Sequence, residues 1–596
     1  MIKMFRYLNL KQWVYFFISV IFIVIQVYLN LKLPDYMNDI TRLINTPGNE
    51  MSDIYSAGGK MLVCALLGAA CSIIISFFAA NIAAGLSKTL RQKVYHQVVD
   101  FSPEEMNAFS VDSLITRTTN DITQIQMIMA MGLVVMIQAP ITAIWAILKI
   151  WNKSWQWTTM TAMAVVLLFV TIGVLVTFAM PKFRKIQGLV DQLNLVTREN
   201  LSGLRVIRAY NAEDYEEAKF QSVNKEIADT NIYVGKFMPL MPATMNLIMN
   251  GLSLGIYWIG AYMINHVSMS MTQGPAVLKE HLMDRISLFG DMVVFVSYAI
   301  QVVMAFVMLT MIFVNLPRAQ VACRRVQEVI NKGISIKDGH GVTPEEVGTV
   351  RFDHVSFQYP DAKEAVIENV SFTAHQGDTV AFIGSTGSGK STLVNLIPRF
   401  YDATQGTVYV DGKDVRDYTT KMLRQKVGYI PQKAFLFKGT IASNMRYGDN
   451  ANVSDEVVSE ALTMAQATPF IDKMPAGVNS EIAQGGSNVS GGQRQRLAIA
   501  RTLARQPEIL IFDDSFSALD YKTDRLLRDT LNEKLKDTTK LIVAQRIGTI
   551  RDADQIIVLD EGKVVGQGTH DELMANCAVY QDIAYSQLSK EELHHE

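Results

Sequence analysis

Six apolar runs, each long enough to cross a bilayer, limit what the first half of this 596-residue chain can become. They cover residues 13–33, 61–84, 127–150, 157–179, 238–264 and 288–316. A crossing takes about 20 residues. Inside lipid every backbone N–H and C=O must be satisfied within the segment, so each run is expected as a helix. Pro140, inside the third run, predicts a kink. The first run follows Lys3, Arg6 and Lys11, as the core of a cleavable signal would. It is too long for that and lacks a small-residue cleavage site, so it reads as a span.

The loops orient these spans. The connection 34–55 is acidic, with Asp35, Asp39, Glu50 and Asp53 against Arg42. The two long connections are basic, carrying Lys88, Arg91, Lys93 and Arg117, then Lys182, Arg184, Lys185, Arg198, Arg205 and Arg208. Positive charge favours the cytoplasmic side, which predicts cytoplasmic termini and a multi-pass protein of the plasma membrane. Helical periodicity continues out of the spans through 87–101 and 182–210. Arms of about 20 residues would project about 30 Å. They are expected to turn near 110–117 and 209–214, and those tips to touch the second domain. Ser102, Pro103, Glu104 and Glu105 have the form of a helix start just before the first tip.

Methionines recur at helical spacing in the fifth span (Met241, Met245, Met249) and the sixth (Met304, Met308, Met311). They suit either plain packing or an adaptable apolar cavity. Asp291, near the outer end of the sixth span, fits either traffic through the membrane or the headgroup region. The four cysteines show no metal-site spacing and no disulfide framework. A net charge of −2 gives no basic excess, so nucleic acid is not an expected partner.

After a charged connector at 317–350, the second half (351–588, with a short tail at 589–596) reads as an α/β domain. Gly384, Ser385, Thr386, Gly387, Ser388, Gly389, Lys390, Ser391 and Thr392 form G-x-x-x-x-G-K-[ST] with the following residue. An apolar strand precedes this loop and a helix follows. Glycines let successive N–H groups turn toward phosphate oxygens. Lys390 can reach terminal phosphates and Ser391 can hold Mg²⁺. Tyr359 is placed to stack on adenine. Gln432 follows a strand and can reach the metal and attacking water. The strand 509–512 ends in Asp513, suited to Mg²⁺, and Asp514. Ser490, Gly491, Gly492 and Gln493 stand before a helix as a second anion site. One nucleotide does not need two such sites from one chain, so this one is expected to cap a phosphate held elsewhere.

Tyr359, the phosphate loop, Gln432, Ser490 to Gln493, Asp513 and Ser517 to Asp520 resemble the A-loop, Walker A, Q-loop, signature, Walker B and D-loop of ABC transporters. With six spans ahead of them, the whole chain is similar to an exporter half-transporter. The resemblance implies an α-helical membrane domain followed by a P-loop ATPase domain, with ATP and Mg²⁺ as cofactors. It also implies a second subunit, two ATP molecules sandwiched between domains, and coupling helices at the arm tips.

Two positions depart from the family pattern. A Glu usually follows the Walker B Asp and acts as base; here it is Asp514. The family's switch His is here Gln545, which cannot carry a proton charge. Asp places its carboxylate about 1.5 Å short, a displacement that can cost about a hundredfold in rate. Two losses beside an intact signature resemble the degenerate-site half of bacterial heterodimeric multidrug exporters. On that expectation this chain's own site holds ATP, and Ser490 to Gln493 complete a partner's site, for amphipathic substrates. A slow homodimer exporting a lipid or peptide, or an ATP-gated channel or regulator, are the alternatives.

Overall fold

The computed structural model describes residues 2–46, 50–151, 153–237, 239–267, 275–448 and 452–587. The expected tail at 589–596 and Met238 lie outside the described residues. The chain divides into two compact units. One comprises Met1–Gln97 and Val111–Asn331, the other Val98–Ser110 and Lys332–Glu596.

Among its described residues the first unit has helices and no strands. Six helices among the described residues are long and apolar enough to cross a membrane: Leu10–Asn45, Met51–Val99, Val111–Ile150, Trp155–Ser202, Glu213–His266 and Pro275–Ile330. The fifth breaks beside Pro239, into Glu213–Phe237 and Leu240–His266. The third runs on through Pro140 and contains one π-helical stretch, Arg117–Asp121. The second helix alone has 49 residues, about 70 Å of length, so spans and arms are continuous rods. Large apolar side chains such as Ile73, Phe77, Val166 and Trp258 point outward, as a lipid-facing surface requires.

Polar groups tie the rods together. Tyr298 is fully buried on the sixth helix; its hydroxyl donates to the Leu31 carbonyl at 3.0 Å and to Asp35 at 2.5 Å. The Lys149 ammonium donates to the other Asp35 oxygen at 2.8 Å. One carboxylate thereby joins the first, third and sixth spans. Asp291 pairs with Lys153 at 2.5 Å, which gives it a partner in the short turn after the third span. Met245 and Met249 pack against the buried core of this unit.

Among its described residues the second unit carries twelve strands: β1 (Val350–Phe357), β2 (Ile367–Ala374), β3 (Thr379–Gly384), β4 (Gln405–Val410), β5 (Lys413–Asp414), β6 (Val427–Ile430), β7 (Gly439–Thr440), β8 (Glu481–Ile482), β9 (Ile509–Asp513), β10 (Thr539–Val543), β11 (Gln555–Asp560) and β12 (Lys563–Gly568). The central sheet has the order β12-β11-β3-β10-β9-β6. It is parallel except for the β12 edge. A second, antiparallel sheet has the order β2-β1-β4-β5. Alternating side chains of the central strands feed two cores. Ala381, Ile383, Leu510 and Phe512 enter the one shared with the helices, whereas Val380, Phe382, Ile509 and Ile511 enter the one shared with the antiparallel sheet. Burial on both faces accounts for the unbroken apolar runs of β3 and β9 in the sequence.

The short segment Val98–Ser110 belongs to this second unit. It contains the helix Pro103–Ala108, started by Ser102 with a capping box to Glu105. Glu105 is 2% exposed. One of its oxygens accepts from the Ser102 N–H at 2.8 Å, and the other from the Ser335 N–H at 2.9 Å. The Asn107 side chain lies against the Tyr401 hydroxyl. This helix lies just ahead of the expected 110–117. From Val111 onward the chain belongs to the first unit, where Arg117 donates to the Arg325 carbonyl at 2.7 Å and to Glu328 at 2.9 Å. Arg117, part of the expected tip, thus bonds to the sixth helix. At the second tip the chain turns through Asn211 (φ 51°), with Tyr210 80% exposed.

Burial raises the Glu105 carboxyl, but the hydrogen bonds from Ser102 and Ser335 outweigh it and hold it below the usual glutamate value. A depressed carboxyl stabilises above its unfolded value and loses that contribution as pH falls through its folded one. Glu105→Gln at neutral pH should therefore reproduce acidification. Deuterium uptake in 98–110 should rise severalfold at pH 7, with little change in β3 or β9, as read by hydrogen-exchange mass spectrometry.

Candidate functional site

Parallel strands deliver their C-terminal ends to one edge of the sheet, and in the order β3-β10-β9-β6 four loops meet there. The register brings Val543 of β10 level with both Phe382 of β3 and Asp513 of β9. The phosphate loop, Gln545, the Asp513–Asp514 pair and Gln432 therefore converge, although they come from four separate parts of the sequence.

The loop leaves β3 at Gly384, with φ 155°, and enters the helix Lys390–Asn395 at Gly389, with φ 92°. A Cβ on Gly384 would lie 2.0 Å from the Leu559 carbonyl, and one on Gly389 2.8 Å from that of Val366. Only glycine fits at either end. The Lys390 ammonium is held over the loop by the carbonyls of Gly384 (2.9 Å) and Ser385 (2.7 Å) and by the Ser388 hydroxyl (3.2 Å). Burial pulls the Lys390 ammonium below its ordinary value, while Asp514 and Asp513 act to keep it charged. The Tyr359 hydroxyl bonds Thr392 at 3.0 Å, and Tyr401 and Phe357 meet its ring edge-on. Tyr359 is thereby anchored beside the loop.

The two aspartates at the end of β9 are buried and differently used. One Asp513 oxygen accepts from Ser391 at 2.6 Å and the other from the Tyr429 hydroxyl at 2.9 Å. Asp514 has a positive φ of 48°, fixed by its N–H donating to the Val543 carbonyl at 3.0 Å. One of its oxygens, Oδ2, accepts from both the Gln432 amide (3.0 Å) and the Gln545 amide (2.8 Å). Burial pushes the Asp514 carboxyl up, and the charge of Asp513 adds to this; the bonds from Gln432 and Ser517 and the Lys390 charge oppose it. From the sequence, Asp514 and Gln545 are two independent departures. In the structure they form one hydrogen-bonded unit.

Ser490, Gly491, Gly492 and Gln493 lie elsewhere. Ser490 caps the helix Gly491–Leu503, its hydroxyl accepting from the Gln493 N–H at 3.3 Å while the Gln493 side chain accepts from the Ser490 N–H at 3.0 Å. Ser490 and Gly491 face outward. A Cβ on Gly492 would sit 3.2 Å from the Ala518 carbonyl, so the signature lies against the segment ending at Asp520. Among the described residues Asp520, the end of the D-loop match, makes no hydrogen bond to Asp513 or Asp514. It caps the helix Tyr521–Lys534, accepting from the Thr523 N–H at 3.0 Å and hydroxyl at 2.7 Å. Among the described residues no group of three or more His, Cys, Asp or Glu side chains could hold a metal by itself. The sequence reading overlooked Tyr429. Its only signal is a phenol on an otherwise apolar buried strand, and such a hydroxyl usually finds a partner.

Comparison with known proteins accounts for both halves. Residues 16–306 match the family model described as the ABC transporter transmembrane region, and residues 367–517 match the one described as ABC transporter. An uncharacterized ABC transporter ATP-binding protein of Mycobacterium bovis is 37% identical over 543 residues, covering 90% of each chain. The chain belongs to the ABC transporter family. The transporter is also 30% identical over 517 residues to the ATP-dependent lipid A-core flippase of Pseudomonas aeruginosa, covering 85% of this chain and 81% of the flippase. A solved bacterial Atm1-family ABC exporter with ATP bound shares the fold, with a TM-score of 0.76, 24% identity, and coverage of 95% of this chain and 96% of that one. This transporter is a multi-pass membrane half-transporter, its ATP-binding domain fused behind its membrane domain, and its ATPase is coupled to transport.

Because Tyr429 orients Asp513, Tyr429→Phe should weaken Mg-ATP binding by about tenfold while changing binding of metal-free ATP much less. Titration of a fluorescent ATP analogue with and without Mg²⁺ checks this.

Proposed function

We propose that this chain is one half of a two-chain exporter for amphipathic, drug-like compounds, and that its own nucleotide site holds ATP more than it hydrolyses it. In this reading the backbone of Gly384 to Gly389, with Lys390, Ser391 and Thr392, takes the phosphates, and Tyr359 takes the adenine. Ser391 and Asp513 hold Mg²⁺, with Gln432 at its edge; one carboxylate, one hydroxyl and substrate phosphates are an ordinary set for that ion. The basic arms and the ATP-binding domain face the cytoplasm of a plasma-membrane protein.

One observation carries the proposal: Asp514 Oδ2 is clamped by the Gln432 and Gln545 amides. A general base must reach the proton it takes, within about 2.6–3.2 Å or through one water. A short side chain with one oxygen already accepting twice is poorly placed for that. The amide of Gln545, unlike an imidazole, cannot accept and return a proton. Ser490, Gly491, Gly492 and Gln493 are intact, with Ser490 and Gly491 exposed, which suits completing a partner's site. Thus the partner supplies the base and this chain supplies the signature.

A second reading rests on the similarity to the lipid A-core flippase: a homodimer that moves a lipid with slow turnover. Purified alone in liposomes, the chain should turn over ATP at about one hundredth of the two-chain rate. Comparable rates would leave the homodimer. In the two-chain form, Asp514→Asn should change turnover by less than about threefold. Asp514→Glu combined with Gln545→His should raise the activity of the chain alone by more than about tenfold.

A further inference from the structure

The membrane unit holds a cavity of about 300 Å³ bounded by its first, third and sixth spans. Its polar lining comes from three helices: Asn30 on the first, Gln138 and Thr142 on the third, and Gln301 on the sixth. Met304 and Met308 form part of the apolar wall. No Asp, Glu, Lys, Arg or His is among the described residues that line it.

An amide in a segment apolar enough to span lipid is costly unless it is bonded. Asp35, in the same unit, is paired with Tyr298 and Lys149. The side chains of Asn30, Gln138 and Gln301 make no hydrogen bond among the described residues. All three are half-buried and line the same space. A primary amide donates, accepts and carries no charge. Three of them with a hydroxyl suit a ligand group that also does both, such as an amide or hydroxyl. A phosphate would meet no basic side chain here, and an ammonium no carboxylate. The thioethers of Met304 and Met308 adapt to varied apolar shapes. The volume is at the lower end for small-molecule sites, the size of a head group more than of a whole lipid.

We propose that this cavity binds the polar head of an uncharged amphiphile carrying amide or hydroxyl groups. The proposal names a substrate class within the exporter reading and rests on it.

The test uses the full chain, with any partner it requires, in nanodiscs without ATP and in inside-out vesicles with ATP. Three probes cover the charge classes: fluorescent short-chain ceramide (neutral), fluorescent phosphatidylglycerol (anionic) and ethidium (cationic). Ceramide should bind most tightly in nanodiscs, and Gln138→Leu with Gln301→Leu should weaken it about tenfold while ATP-analogue binding stays unchanged. Gln301→Glu, which keeps the side-chain size, should shift preference toward ethidium. Equal binding of all three probes, or binding that ignores these substitutions, overturns the site. Substitution-sensitive ceramide binding without ATP-driven uptake upholds the site and overturns the export reading. ATP-driven ceramide uptake that the double variant leaves unchanged overturns the site and upholds export.

Discussion

Two neighbouring carboxylates at the end of one buried strand repel each other and lose hydration together. Asp513 and Asp514 are tolerable only because separate donors reach them from the adjoining strand ends and loops. Ser391 and Tyr429 hold the first; Gln432 and Gln545 hold the second. Each donor requires its strand to lie where the sheet order puts it, so β3, β10, β9 and β6 are fixed relative to one another by this cluster as well as by their backbone ladders. The left-handed backbone of Asp514 turns its carboxylate away from that of Asp513, toward the two amides. The same arrangement that solves a solvation problem determines how freely Asp514 can accept a proton.

The membrane unit meets a comparable problem in a drier setting. Its buried charges are satisfied by partners on other helices, Asp35 by Tyr298 and Lys149, so each bond also fixes a helix contact. The amides of Asn30, Gln138 and Gln301 are the contrast, since they open onto a cavity and not onto one another. Polar groups that pair hold the helices in place, whereas polar groups that face a shared space are available to something else. The methionine stripes divide along the same line. Met245 and Met249 pack into the core, while Met304 and Met308 face the cavity, although each pair is four residues apart in the sequence.

Much of this was legible before any coordinates. Five of the six apolar runs lie within one helix and the fifth is helical from Leu240 onward, because lipid leaves the backbone no other way to satisfy itself. The phosphate loop sits between a strand and a helix, since its glycines permit a turn that other residues would block. The segment that joins the second unit was less legible. Ser102 and Glu105 announced a helix start, but that Glu105 would be buried against Ser335, 230 residues away, is a long-range contact that no local pattern records. Asp520 is placed by its resemblance to the D-loop, and that it also caps a helix shows only in the fold.

The amino-acid sequence by itself determined the order of the two parts, the existence of the spans and strands, and the residue types gathered for nucleotide chemistry. These depend on local composition, periodicity and spacing, all carried by residues near one another in the chain. Tertiary structure alone decided that Tyr429 orients Asp513, that Gln545 and Gln432 share one oxygen of Asp514, and that three spans bring Asn30, Gln138 and Gln301 to one cavity. Those facts depend on angles and distances of a few ångströms between residues far apart in the chain. Hydrogen bonds are short and directional, so only the folded arrangement can assign them.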